Sequence, residues 1–130
     1  MSRRDELDLM DYLAHIQEAI SRIQRYLIEI DHDAFLANEE KQDAVIRNLE
    51  IIGEAAGNIH RHFPDFTKQH PDFPAKAAYG TRNALAHGYF TVDMEIVWTT
   101  IQSDLPSLYR QVCAITENNG PLSPDSGINS

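Results

Sequence analysis

Arg82, Asn83, His87 and Tyr89 concentrate most of the reactive chemistry of this chain into the stretch TRNALAHGYF, residues 81–90. Arg82 stays charged at any ordinary pH, and its planar fork matches the oxygens of a phosphate. His87 titrates near neutrality and can give or take a proton. Asn83 adds a neutral donor and acceptor, and Tyr89 a hydroxyl. This set suits cleavage of an RNA phosphodiester without a metal. The neighbouring 2′-hydroxyl is the nucleophile, so the protein need only move protons and stabilise charge at phosphorus. DNA has no 2′-hydroxyl and is not a substrate by this route.

The spacing sets a geometric condition. Five positions along an α-helix turn a side chain by about 140°, so one helix does not aim Arg82 and His87 at one phosphate. Two arrangements relieve this. The helix can end at His87, with Gly88 as its C-terminal stop, freeing the imidazole from helical angles. A two-fold homodimer can also bring two copies of the segment face to face. On spacing alone, a surface arginine plus a helix-terminal histidine is the commoner arrangement.

The surrounding elements read as helices. Leu9, Leu13, Ile16, Ile20, Ile23, Leu27 and Ile30 alternate four-three spacing and predict a long helix over about residues 5–31. DHDAFLAN, 31–38, reads as a connector rich in turn and cap formers. A second helix is predicted over about 40–62, with Val45, Leu49, Ile52, Ala56 and Ile59 as its apolar stripe. Gly53 and Gly57 lie beside that stripe, and each costs about 1 kcal/mol of helix propensity relative to Ala. Close approach of another helix or of a partner chain accounts for them. HRHFPDFTKQHPDFP, 60–74, reads as a loop pinned to the core by its phenylalanines. Pro74 suits the first turn of a third helix over about 75–87. Asp93 can cap a fourth helix from Met94, which Pro106 must kink or divide. The end of the chain, NNGPLSPDSGINS, reads as a polar disordered tail, so the folded domain covers 1–117 and the tail 118–130. No segment has strand character. The fold class is therefore all-α, an up-and-down bundle of four to five helices.

Two further groups invite a chemical reading. Glu50 and Glu54 lie one turn apart on the second helix and could serve acid–base or metal chemistry, although solvated carboxylate pairs are far commoner. His60, His62 and His70 raise the question of zinc, but their spacing matches no ligand motif and no cysteine accompanies them. No metal and no cofactor is assigned.

Bulk properties narrow the classes. The 130 residues make one domain with a modest core, 42% of them hydrophobic. The net charge of −9 argues against non-specific nucleic-acid binding by the chain as a whole. Its distribution is uneven. Residues 60–90 carry Arg61, Lys68, Lys76 and Arg82 against Asp65 and Asp72, a local +2 that leaves −11 for the remainder. Four of the six histidines fall in the same window, so an anion site belongs there. The acidic remainder suits solubility or a basic partner. Cys113, the single cysteine, rules out an intramolecular disulfide framework and suits a reducing cytoplasm. The start, MSRRDELDLM, holds no apolar run of signal-peptide type, and no run approaches a membrane span.

The longer string RNALAHGYFTVDMEIVW, 82–98, resembles the HEPN superfamily, specifically its HepT-like branch. That branch carries Arg, a polar residue, and after a short spacer His-x-Tyr, here Arg82, Asn83, His87 and Tyr89. QDAVIRNLEIIGEAAGNI, 42–59, is similar to the second helix of the family, and DLPSLYRQV, 104–112, to its last helix. The resemblance spans most of residues 5–115. Tyr79 or Phe73 stands where family members commonly carry an aromatic, often Trp, ahead of the motif. The resemblance implies a homodimeric, metal-independent endoribonuclease whose Arg–His motifs from both chains line one cleft. It implies a toxin of a type VII toxin–antitoxin system, paired with a minimal nucleotidyltransferase antitoxin that adds AMP to the motif tyrosine. Arg82 and His87 are then catalytic, Asn83 supporting, and Tyr89 the site of AMPylation. The other reading of the same fold is a non-catalytic helical module that binds nucleotides or proteins, which has no need of an intact Arg82–His87 pair.

Overall fold

The structure, a computed structural model, describes residues 2–75, Ala78, Thr81 and residues 93–119. It is an all-α bundle. Among the described residues there are six helices and no strand: α1 (Arg3–Tyr26), α2 (His32–Leu36), α3 (Glu39–His62), α4 (Pro64–Gln69), α5 (Met94–Ser103) and α6 (Leu105–Asn119). Helix α1 packs against α3 and α6, while α2 contacts α3 and α5.

Helix α1 begins before the first apolar residue of its stripe because Ser2 caps it. The Asp5 N–H donates to Ser2 Oγ at 3.1 Å, and the Ser2 N–H donates back to the Asp5 carboxylate at 3.4 Å. The helix also ends earlier than its periodicity predicts, at Tyr26 rather than near Asp31. Glu29 sits in the left-handed region at φ 61°, which reverses the chain there. Leu27 and Ile30 nevertheless pack, half-buried, against the core. They continue the apolar spacing after the helix has stopped.

The stretch read as a connector contains α2. Asp31 caps it by accepting the Ala34 N–H at 2.9 Å, and Phe35 plugs it completely into the core. The Gln42 amide closes its end, donating to the carbonyls of Phe35 and Leu36, both at 3.0 Å. Asn38 then caps α3 through the Lys41 N–H at 3.0 Å. The predicted stripe of α3 is buried throughout, and so are Gly53 and Gly57.

The stretch read as a loop contains α4. Pro64, which reads as a breaker, occupies its first turn, where a missing N–H costs nothing. Phe63, Phe66 and Phe73 are all buried, as the pinning role requires. Pro106 divides the last long helical stretch: α5 stops at Ser103, Asp104 turns the chain, and Pro106 is the second residue of α6. Helix α6 runs to Asn119, slightly beyond the predicted start of the tail, and residues 120–130 lie outside the described residues.

The core is one continuous cluster. Leu13, Ile16, Ile20 and Ile23 from α1 meet Val45 and Ile59 from α3 and Val112 from α6, all fully buried. Each such side chain contributes about 1.5–3 kcal/mol of transfer free energy. Among the described residues, no helix is long and apolar enough to cross a membrane.

Candidate active site and its framework

Arg82, Asn83, His87 and Tyr89 lie outside the described residues, as does Gly88. Of the third helix expected over 75–87, Ala75, Ala78 and Thr81 are described, and all three are helical. The Ala78 N–H donates to the Pro74 carbonyl at 3.0 Å, so the helix starts where Pro74 predicts. The structure therefore defines the framework on either side of the motif.

On the N-terminal side the framework is aromatic. Phe73 is buried and meets Phe66 edge to face, with ring centroids 5.5 Å apart. The Phe73 N–H donates to the His70 carbonyl at 3.0 Å, and Ala75, fully buried, begins the next helix two residues on. His70 lies against Phe66 at 4.4 Å. The C-terminal side is a capped helix start. Asp93 accepts the Glu95 N–H at 2.9 Å, and Met94 and Val97 pack into the core.

One cluster at this second border escapes sequence reasoning. His32 of α2 contacts Glu95 of α5 through Nε2 at 2.7 Å and Asp33 through Nδ1 at 3.0 Å. Its ring lies edge-on to Trp98 at 6.0 Å, and Trp98 in turn packs on Phe35 at 5.4 Å. Both imidazole nitrogens face carboxylate oxygens, and only the protonated ring can donate to both. The Glu95 and Asp33 carboxylates accordingly raise the His32 pKa above its ordinary value. The partners are 63 positions apart in sequence, and no local spacing announces such a contact.

The remaining candidates disperse. Glu50 and Glu54 line a shallow cleft of about 370 Å³ with Tyr12 and His15, and Arg47 approaches Glu50 at 3.9 Å. His62 and His70 border a larger cleft of about 590 Å³ with Asp5, Glu6 and Asp65, while His60 does not line it. Among the described residues no group of three or more His, Cys, Asp or Glu side chains is placed to hold a metal ion.

The described residues form an all-helical bundle, and the sequence between its two borders carries Arg and His-x-Tyr, which marks the class of helical HEPN-type domains. The comparisons give the family. The chain matches the family model described as "Ribonuclease HepT-like" over residues 16–115, a span that contains Arg82 to Tyr89. It is 45% identical over 98 residues to a protein of Thermococcus cleftensis named "Probable ribonuclease HepT", covering 75% of this chain and 86% of that one. A candidate RNase of Methanocaldococcus jannaschii is 36% identical over 112 residues, covering 86% and 97%. Another, from Caldanaerobacter subterraneus subsp. tengcongensis, is 34% identical over 106 residues, covering 82% and 92%. No solved structure gives a significant match. The chain belongs to the HepT-like family.

Proposed function

We propose that this protein is a metal-independent endoribonuclease, the toxin of a toxin–antitoxin pair, and that AMPylation of Tyr89 silences it. The observation that carries this reading is family membership over a span that includes an intact Arg82–Asn83–His87–Tyr89 set. The 2′-hydroxyl of the substrate attacks the adjacent phosphorus. The bond to the 5′-oxygen breaks, leaving a 2′,3′-cyclic phosphate; His87 moves the proton from the 2′-hydroxyl to the departing 5′-oxygen, and Arg82 stabilises the charge that builds on the phosphoryl oxygens. The homodimer places the two motifs across one cleft, which removes the 140° conflict of a single helix. AMP on Tyr89, transferred from ATP by a cognate nucleotidyltransferase antitoxin with pyrophosphate as leaving group, sets bulk and negative charge beside Arg82 and repels an incoming phosphate.

The test is RNA cleavage in excess EDTA by wild type, Arg82→Ala and His87→Ala. Wild type should cut and both variants should not. Persistent cleavage by purified His87→Ala protein refutes the mechanism. Failure of unmodified wild type to cut any of a range of RNAs favours the binding-module reading. Co-expression with the antitoxin should add mass in units of AMP to wild type and not to Tyr89→Phe.

A further inference from the structure

Arg22 and Arg25 stand one turn apart on α1, beside a groove of about 460 Å³ between α1 and Tyr109 of α6. Ala14 and Ser21 are small and keep the groove open on the α1 side. Two features set it apart from an ordinary helix surface. The first is how Arg22 is held. Its Nη1 donates to Asn48 Oδ1 at 3.3 Å, while Asn48 Nδ2 donates to the Ala44 carbonyl at 2.9 Å. Asn48, 4% exposed, is the buried polar side chain of the described core. Burying an amide is costly unless it is paired, and this one is spent on orienting a guanidinium at the edge of a groove. The second is what remains unused. The Arg25 guanidinium and the Tyr109 hydroxyl have no hydrogen-bond or ion-pair partner among the described residues. Among the described residues, Glu18, which approaches Arg22 at 3.5 Å, is the one acid lining the groove. The groove is therefore locally basic on a chain of net charge −9.

We infer that this groove is a binding subsite for the backbone of single-stranded RNA, remote in sequence from the cleavage motif. Guanidinium groups bind phosphate oxygens through charge-assisted pairs. A basic groove walled by an aromatic ring is the arrangement on which single strands track and stack. Ser21 and Gln17 also line the groove, the Gln17 amide donating to Cys113 Sγ at 3.2 Å, so among the described residues Ser21 supplies a free neutral hydroxyl. The inference rests on the ribonuclease reading for its choice of ligand.

The test separates binding from cutting. The full-length protein carrying His87→Ala, which cannot turn over its substrate under the mechanism above, is titrated against a fluorescent, mixed-sequence single-stranded RNA at several salt concentrations. Arg25→Glu in that background should raise Kd about tenfold and flatten the slope of log Kd against log salt by about 0.7, the share of one phosphate contact. Arg47→Glu makes the same change in net charge on the α1–α3 side and should leave Kd within about twofold. Equal effects of the two reversals, or no RNA binding by the His87→Ala protein, overturn the inference. The two readings fail separately. If wild type cuts RNA and Arg25→Glu binds normally, the groove fails and the ribonuclease stands. If wild type never cuts but Arg25→Glu alone loses binding, the ribonuclease fails and the groove stands.

Discussion

Phe73→Ala tests whether the aromatic framework before the motif anchors the segment that carries it. Phe73 is buried, stands immediately before Pro74, and has Phe66 edge to face at 5.5 Å. Removing a buried phenylalanine side chain costs about 3–5 kcal/mol in transfer and cavity terms. Phe73 keeps 5% exposure, so its site is not fully enclosed and the lower figure of about 3 kcal/mol applies. A domain of this size lies between the classes that lose about 4–8 and about 2–4 °C of Tm per kcal/mol. The expected drop in Tm is therefore about 12 °C, read by far-UV circular dichroism. Phe73→Leu keeps most of the apolar volume and should lose distinctly less. The functional arm is RNA cleavage well below the melting point of the variant. Phe73→Ala should cut more slowly than Phe73→Leu, because the start of the third helix is no longer pinned. A Tm drop under about 4 °C refutes the anchoring argument. Undiminished cleavage with the full drop shows that Phe73 serves stability alone.

Two other perturbations follow from the same contacts. His32, with its pKa raised by Glu95 and Asp33, should titrate above 6.5 in an NMR pH series, and Glu95→Gln should bring it down. A raised folded-state pKa means that the stability from this pair is fully present below 6.5 and is lost as pH rises through the raised value. A pH-independent difference in Tm between wild type and Glu95→Gln would contradict this. Arg22→Leu leaves Asn48 Oδ1 buried without its donor and should cost about 1–3 kcal/mol in urea unfolding. Adding Asn48→Leu removes the orphan and should recover part of that loss, since deleting both partners of a buried bond is nearer neutral. A double variant less stable than Arg22→Leu would show that the bond is not what Arg22 contributes.

The long helices were legible because their apolar residues recur at helical spacing and really do face one core. Val45, Leu49, Ile52, Ala56 and Ile59 are all buried where the stripe of α3 puts them. Periodicity misled where apolar burial outlasted the helix, as at Leu27 and Ile30. Burial requires only that a side chain reach the core, not that its backbone be helical. Helices α2 and α4 were missed because five and six residues are too few to show a period. The Asp31 cap of α2, Pro64 in the first turn of α4, and the single buried phenylalanine of each are the signals that could have revealed them.

The sequence by itself determined the all-helical class, the three phenylalanine anchors, the division at Pro106 and the residue set that places the chain in its family. These are local properties: spacing, capping and side-chain chemistry carried within one stretch. The tertiary structure alone decided that Asn48 holds Arg22, that His32 reaches Glu95, and that Gly53 and Gly57 are buried. It also kept His60 apart from the cleft that His62 and His70 share. Each of these depends on which helix faces which, and that is settled by how one shared core is filled.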